Sequence, residues 1–343
     1  MTDGPPRRDT DLAPHELRIL AAVDRERSFT AAAAALGLTQ SAVSHAVRTL
    51  EGKLGAVLFD RGRHGARPTP AGERAAAHAR QVLRLLAAMP AEVREASTGE
   101  ITGRPVVASF RSAAAHLLPA VLAGVTARHP GLAPQVRIVR ELGPGTAGEV
   151  ADGRADLGIA TVDPTVEPLP GLVVVPLFEE SYALVHPAGH PRPKELPLID
   201  WDENCSSYTR SWWSEQDWMP PATIRVEDDT VVLSLVARGI GMAVVPGLSL
   251  LGAPPGLAVT DLGPKPPSRR VGYVTTPALA RTAAVRALVR ELRSAPLPAG
   301  LTAVQRPSAS AAPAAPPPPA SAAAPASTAS RSRRNSAAMP SGV

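Results

Sequence analysis

The helix-capping and helix-ending residues within 14–55 constrain the fold of this chain more than any other feature. Apolar residues recur there at helical spacing, Ser28 or Thr30 can cap the second helix and Thr39 the third, and Gly37 and Gly55 follow the last apolar residue of a segment. Three short helices are therefore predicted: Pro14 to about Arg27, Ala31 to Leu36, and a third that begins after Thr39.

The third helix has one apolar face and one polar face. Val43, Val47, Leu50 and Leu54 recur at spacings of four, three and four, so they are predicted to form a single buried stripe. The residues that then point outward are short or polar and cluster near the N-terminus of the helix. They are Gln40, Ser41, Ser44, His45 and Arg48.

A β-hairpin and a long helix are predicted next. Gly62, Gly65, Pro68 and Pro70 lie within residues 58–73 and favour a tight hairpin, which beside a three-helix unit is a wing. From position 71 to about 96 the sequence is rich in Ala, Arg and Leu and is predicted to be one helix, which could pair with its twin in a dimer. Its apolar residues at helical spacing are Val82, Leu85, Leu86 and Met89.

Short apolar runs alternate with amphipathic segments from about residue 104 to 293. Strands that alternate with helices indicate an α/β domain, and we expect its sheets to be largely parallel. The predicted strands are 104–109, 134–140, 156–161, 172–177, 181–186, 241–246 and 270–275.

Composition marks the two ends of the chain as different from its middle. The 343 residues include 38 prolines, and the segment after Pro298 is mostly Ala, Pro and Ser, which predicts a disordered tail. With a single cysteine, Cys205, and no apolar run long enough for a signal peptide or a membrane span, we expect a cytoplasmic protein without disulfides or membrane contact. The predicted organisation is a disordered arm 1–11, a winged helix-turn-helix 12–70, a linker and dimerisation helix 71–98, an α/β domain 99–297 and the tail 298–343.

Charge supports a nucleic-acid partner for the N-terminal unit. Residues 33–84 carry eight basic and three acidic side chains, whereas the net charge of the whole chain is only +5. A concentrated basic patch attracts phosphates, and the N-terminal end of a recognition helix reads base edges in the major groove. For any one of these residues, the alternative is that it is simply solvent-exposed and contacts no DNA. The predicted DNA-binding residues are Thr39, Gln40, Ser41, Ser44, His45 and Arg48 on the third helix and Arg61 and Arg63 on the wing.

At this point the sequence resembles a known family. The stretch SFTAAAAALGLTQSAVSHAVRTLEGKLGAVLFDRGRHGARPTPAGE, residues 28–73, is similar to the DNA-binding region of LysR-type transcription regulators almost throughout. The resemblance implies that the outward residues of the third helix and Arg61 face the operator. His45 departs from the pattern, because many family members carry Arg there, and an unperturbed His is mostly uncharged at neutral pH.

The resemblance extends more loosely to about residue 295. It implies the following fold class: an N-terminal all-α winged helix-turn-helix with a long linker helix, and a C-terminal α/β effector domain of two subdomains, like a periplasmic binding protein. It also implies the partners, which are double-stranded promoter DNA, a small-molecule effector, a second copy of the chain in a homodimer or homotetramer, and RNA polymerase.

Candidate effector contacts follow from the rule that ligands bind at the carboxyl ends of parallel strands. Arg111, beside hydroxyl groups at a helix N-terminus, favours an anionic effector. Simple helix capping explains Ser112 and Thr230 equally well. The predicted effector-binding residues are Ser109, Phe110, Arg111, Ser112 and Thr161 in one subdomain and Thr230 in the other.

The main rival interpretation is an enzyme. Gly143, Gly145 and Gly148 match the dinucleotide-binding fingerprint, and Asp163 lies 20 residues beyond the first of them. Pro144 inside the turn and the position of the motif after the second strand of its domain favour a flexible turn instead. No cofactor, metal site or catalytic residue is predicted.

Overall fold

The computed structural model describes residues 11–62, 65–163, 167–205 and 209–304. The predicted arm and most of the predicted tail lie outside these residues, as does Arg63. The described residues form a helical head with a wing, a long helix and an α/β body, which agrees with the predicted fold class.

The head contains three helices, α1, α2 and α3, and α2 and α3 begin and end at predicted capping residues and glycines. The side chain of Ser28 accepts a hydrogen bond from the backbone N–H of Ala31, and that of Thr39 from the N–H of Ala42. Gly37 and Gly55 adopt the left-handed conformation that ends a helix. The helices span Pro14–Glu26, Phe29–Leu36 and Gln40–Leu54.

The buried stripe of α3 is shorter than predicted. Val43, Val47 and Leu50 are fully buried, whereas Leu54 is 40% exposed. Leu54 lies on the same side of α3 as the buried residues, as predicted. Because it is in the final turn of the helix, at the edge of the core, it is only partly covered. The rings of Phe29 and Phe59 meet edge to face at 6.1 Å within the same core.

The predicted wing is confirmed as an antiparallel hairpin of β1, Phe59–Gly62, and β2, Gly65–Pro68. It is attached to the head because the backbone N–H of Ala66 donates to the carbonyl of Arg27, 2.8 Å away. The long helix, α4, follows at Pro70–Thr98 and is capped by the side chain of Thr69.

The main sheet of the body is mixed, so the prediction of largely parallel sheets is wrong. Strand β3 pairs in parallel with β4 and β5, but β11 is antiparallel to both β5 and β6. Helices α6 and α12 pack together against one face of this sheet. The elements are β3 Val106–Ser109, α5 Arg111–His116, α6 Leu118–Arg128, β4 Gln135–Ile138, α7 Gly145–Ala151, β5 Leu157–Val162, β6 Val173–Pro187, β11 Ser268–Thr275 and α12 Ala283–Ser294.

Two of the predicted strands are one continuous strand, β6. The charged pair Glu179 and Glu180 lies between the two predicted strands and interrupts the apolar pattern. In the structure their carboxylates accept hydrogen bonds from Arg270 and Arg269 of β11, so the charges are compensated within the sheet. The register between β6 and β11 shifts at Val271/Gly272, which marks a bulge in the ladder.

Strand β6 is shared by two subdomains. Its first part pairs with β11, and its second part pairs with β9 and β10 of a second, smaller subdomain. The sequence did not predict β7, β8 and β10. The second subdomain consists of β7 Leu198–Trp201, α8 Asp202–Cys205, α9 Thr209–Ser214, β8 Ala222–Val226, α10 Asp229–Ala237, β9 Ala243–Pro246, α11 Gly247–Leu250 and β10 Leu257–Thr260.

The folded body extends a few residues past position 297. A short strand, β12 at Thr302–Ala303, pairs with Glu179 and Phe178 of β6, although the sequence placed it in the tail. Within the ranges that the structure describes, no helix combines the length and the hydropathy that crossing a membrane requires.

Candidate functional site

The outward face of α3 presents the polar row that the sequence predicted. Gln40, Ser41, His45 and Arg48 are exposed, and Ser44 is half-buried. They face outward because the opposite residues of the helix form the core of the head.

The start of α3 is held in a fixed geometry by Thr39. Its hydroxyl lies 3.0 Å from that of Ser41 and accepts from the N–H of Ala42 at 3.2 Å. Arg61 lies in β1, next to the tip of the wing, and Arg63 falls outside the described residues. Hydroxyl, amide and guanidinium groups on an exposed helix N-terminus can donate to and accept from base edges and phosphates.

An ion pair fixes α3 against α1. The Nζ of Lys53 donates to both carboxylate oxygens of Glu16, at 2.9 and 3.0 Å, and the backbone N–H of Ala13 donates to the same carboxylate at 2.9 Å. Burial alone would raise the pKa of Glu16, but these hydrogen bonds outweigh it and lower the pKa below its ordinary value. The ionised carboxylate thus sets the packing of α1 against the C-terminal end of the helix that carries the polar row.

Helix α4 is bonded to the body as well as to the head. Arg80 Nη1 donates to Asp24 of α1 at 2.5 Å, and Arg80 Nε donates to the carbonyl of Asp152 in the body at 2.7 Å. One turn later, Arg84 Nη1 donates to Asp156 at 2.8 Å. Burial raises the pKa of Asp156, although Arg84 and the N–H of Val106 act in the opposite direction.

Close approach of the two backbones makes this contact possible. Gly153 has a φ of +69°, and a Cβ placed there would lie 2.6 Å from the backbone nitrogen of Gln81. The contact therefore needs glycine for both conformation and space.

Three predicted effector residues line the gap between the subdomains. Phe110, Arg111 and Ser112 face Asp229 across a space of about 20 Å³, which is room for about one water molecule. The Arg111 guanidinium lies 3.5 Å from a carboxylate oxygen of Asp228 and 3.9 Å from one of Asp229. Because two carboxylates of the second subdomain already oppose its charge, Arg111 is a weaker argument for an anionic effector than the sequence suggested.

Ser109 and Thr230 are satisfied locally. The hydroxyl of Ser109 is fully buried and donates to the carbonyl of Phe110 at 3.1 Å. The hydroxyl of Thr230 donates to Asp228, the residue that caps α10. Neither residue lines the gap or the larger cavity beside it.

The larger cavity, of about 550 Å³, lies at the carboxyl ends of β4 and β5 and is lined by Thr161. Four charged residues that the sequence analysis missed also line it: Glu141, Glu167, Glu203 and Arg269. We call this space the effector cavity. Two of its lining residues carry buried polar atoms without a hydrogen-bond partner among the described residues, Thr161 Oγ1 and Arg269 Nη2.

Arg269 is held firmly between the subdomains. Its Nε donates to Glu180 at 2.8 Å, and its guanidinium carbon lies 4.9 Å from the centre of the Phe110 ring. Burial alone would lower the pKa of Arg269, but the adjacent Glu180 carboxylate raises it above its ordinary value. The sequence offered one indication of this residue: an arginine within a strand is buried at a cost in free energy unless an acidic residue pairs with it.

Burial also acts on Glu203, another residue of the cavity lining. Burial raises the pKa of this carboxyl, and the nearby charges of Asp229 and Glu141 raise it further. A hydrogen bond with the backbone of Glu141 and the charge of Arg140, whose Nε lies 3.6 Å away, partly offset this rise.

The glycine turn at 143–148 does not have the form of a dinucleotide site. The Glu141 carboxylate accepts hydrogen bonds from the N–H and the hydroxyl of Thr146, at 2.9 and 2.7 Å, and from the N–H of Thr161 at 2.8 Å. A Cβ on Gly145 would lie 2.6 Å from that carboxylate. The Glu141 side chain already accepts the hydrogen bonds that this turn donates, so the structure does not support the dinucleotide-binding interpretation.

A winged helix-turn-helix, joined by a long helix to a two-subdomain α/β body with a cavity, is the architecture of a ligand-responsive transcription regulator. The family model described as LysR substrate binding domain matches residues 98–296, and the one described as bacterial regulatory helix-turn-helix protein, lysR family, matches residues 14–73. The chain belongs to the LysR family of transcription regulators.

Individual relatives agree with this assignment. The chain is 34% identical over 292 residues to the probable HTH-type transcriptional regulator LrrA of Synechococcus elongatus, covering 81% of this chain and 95% of that protein. In fold it is similar to a full-length cysteine-to-aspartate variant of OxyR from Pseudomonas aeruginosa, with a TM-score of 0.65, 22% identity and coverage of 86% and 99% of the two chains. It is also similar to CbnR complexed with its target DNA, with a TM-score of 0.58, 19% identity and coverage of 82% and 99%. The family and these relatives are regulators rather than enzymes.

Proposed function

We propose that this LysR-type regulator binds promoter DNA through the polar row of α3 and changes its DNA binding or bending when a small molecule occupies the effector cavity. The observation that carries the proposal is the exposed row Gln40, Ser41, His45 and Arg48 on a helix whose other face is the core of the head. Such a helix can enter the major groove without loss of stabilising contacts.

Each residue of the row has a role suited to its chemistry. Gln40 reads an adenine and Arg48 a guanine or a phosphate, because these side chains match the hydrogen-bonding edges of those groups. Thr39, Ser41, Ser44 and His45 contact bases or nearby phosphates. At the wing, the DNA phosphates are contacted by Arg61 and Arg63, and these contacts make DNA binding dependent on salt.

A second copy of the chain covers the exposed face of α4. Val82, Leu85, Met89 and Val93 recur at helical spacing and are 44%, 40%, 55% and 61% exposed. An apolar stripe of this kind favours burial against a twin helix. Pairing through it would place two reading heads on half-sites about 34 Å, or a multiple of that distance, apart. Association of two such dimers gives the homotetramer.

The contacts of α4 offer a route from effector to DNA. Arg80 and Arg84 bond the helix to the loop at Asp152 and to Asp156 at the start of β5, while Arg80 also holds Asp24 of the head. A ligand that favours one arrangement of the body therefore biases the placement of the heads. RNA polymerase, recruited or excluded at the promoter, is the partner that converts this change into transcription.

The decisive experiment is selection of bound fragments from the source genome by the full chain, followed by footprinting on the selected site. We expect one protected near-palindrome and a loss of binding in Arg48→Ala. The matched control is Arg192→Ala, which removes an arginine that is 74% exposed in the body. Equal loss in both variants, or enrichment of no sequence, would contradict the proposed use of α3.

A further inference from the structure

Two residues that line the effector cavity each carry a covered polar atom that the protein leaves unsatisfied. Thr161 Oγ1 and Arg269 Nη2 are both buried and have no hydrogen-bond partner among the described residues, and both residues line the cavity. Buried polar atoms without partners are rare, and each one calls for an explanation such as a missing ligand. A hydroxyl and a guanidinium N–H are both satisfied by an oxygen acceptor, and the guanidinium prefers a carboxylate.

The charges on the cavity wall call for a second, opposite group on the same ligand. Arg269 is the single basic residue of the described lining, and Glu180 behind it already balances its charge. The acidic residues of the lining outnumber it. They are Glu141, Asp163, Glu167 and Glu203.

The Nε of Arg140 lies 3.6 Å from a carboxylate oxygen of Glu203. Because acidic residues outnumber basic ones in the described lining, a ligand that carried negative charge alone would be repelled, whereas a cationic group would be attracted.

The rest of the wall is apolar and limits what joins the two charged groups. The apolar lining residues are Leu169, Leu172, Val174, Ala160 and Val274. A short aliphatic chain fits such a surface. The volume of about 550 Å³ is in the range of small-molecule sites.

We infer that the effector is a small aliphatic amino acid, whose carboxylate binds Arg269 and Thr161 and whose ammonium group lies toward Glu203. This inference rests on the proposed function, since it names the ligand class of the same cavity. Because both unsatisfied atoms are covered, the ligand reaches them only as the walls shift, and this links binding to movement of the subdomains.

The first test measures the thermal midpoint of the full chain with separate probes of each charge type. The probes are the twenty standard amino acids, the diamines putrescine and cadaverine, and the dicarboxylates succinate and glutarate. We expect at least one aliphatic amino acid to raise the midpoint in a saturable manner, with no effect of the dicarboxylates. A response to dicarboxylates alone, to diamines alone, or to none of the probes overturns the inference.

The second test compares variants by equilibrium dialysis against the amino acid found in the first. Thr161→Val should weaken binding about tenfold, as expected for one lost hydrogen bond to a charged group, without lowering the midpoint of the free protein. The control Thr126→Val makes the same change on the exposed side of α6 and should leave binding unaltered. Unchanged affinity in Thr161→Val overturns the inference.

Two further variants separate the ends of the ligand. Glu203→Gln should weaken binding of the amino acid but not that of its deaminated analogue. Arg269→Lys keeps the charge but loses the fork of donors, so both compounds should bind more weakly. DNA binding by the ligand-free chain is measured in parallel. If operator binding is intact while amino acids fail, the ligand class is wrong and the proposed function stands; if the chain selects no DNA, the proposed function fails first.

Discussion

Arg80 and Asp24 join the linker helix to the DNA-reading head through a hydrogen-bonded ion pair of 2.5 Å, in which both side chains are largely buried. The same arginine donates its Nε to the carbonyl of Asp152 in the effector domain. One side chain thus contacts the two functional units of the chain, and it gives the proposed coupling a specific place to be tested.

Arg80→Ala should lower the free energy of unfolding by about 1–3 kcal/mol, because among the described residues it leaves Arg27, at 3.4 Å, as the one charged partner of the Asp24 carboxylate. We expect calorimetry of the variant to separate unfolding of the head from that of the body. Arg192→Ala should unfold like the wild type. A single transition with an unchanged midpoint in Arg80→Ala would show that this pair does not join the two units.

Glu16→Gln should destabilise the head by about 1–2 kcal/mol at neutral pH, since the hydrogen bonds from Lys53 and Ala13 lose the negative charge and one of the two acceptor oxygens. The folded pKa of Glu16 lies below its ordinary 4.5, so its stabilising effect is complete above that pH and disappears as the pH falls through the folded pKa. Urea unfolding from pH 7 to pH 3 should show the wild type approaching the variant. Glu26→Gln, at a more exposed carboxylate, serves as control, and a difference that is constant with pH would contradict the prediction.

Met89→Asp should convert the oligomer into monomers, because a carboxylate on the apolar stripe of α4 would lose its hydration in the paired state. Light scattering measures the mass directly. Val259→Asp places the same charge at a position of β10 that is equally exposed, at 55%, and should leave the mass unchanged. An unaltered mass in Met89→Asp would move the dimer contact away from α4.

Gln40→Ala should reduce the preference for operator over random DNA by about 1–3 kcal/mol, the range for one lost bidentate base contact. Competition binding at fixed salt measures this ratio. Arg61→Ala should weaken both kinds of DNA and flatten the salt dependence. If Gln40→Ala affects operator and random DNA equally, Gln40 contacts the backbone rather than a base.

The head was predictable because its structure is determined locally. The caps at Ser28 and Thr39, the glycine stops and the apolar spacing of α3 all act within a few residues, and the observed helices differ from the predicted ones by only one or two residues at their ends. Leu54 was misjudged because its exposure depends on what lies over the last turn, which spacing alone does not reveal.

The effector domain was harder because its decisive contacts are remote in sequence. Glu180 fell between two predicted strands, because the arginine that compensates its charge within the sheet, Arg269, lies 89 positions later. Glu141 and Thr161 come together only when β4 and β5 flank β3 in the sheet. Arg111 was placed in the gap as expected, but no local pattern could predict the two aspartates that oppose it.

The continuity of β6 has a mechanical consequence. Because both subdomains hydrogen-bond to this one strand, any rotation of one against the other must be absorbed as twist along it, and the bulge opposite Val271/Gly272 is where its ladder is already irregular. A ligand that rotates the subdomains would then twist β6. The resistance of the strand to twisting would determine how much of the binding free energy is available to move the DNA-binding heads.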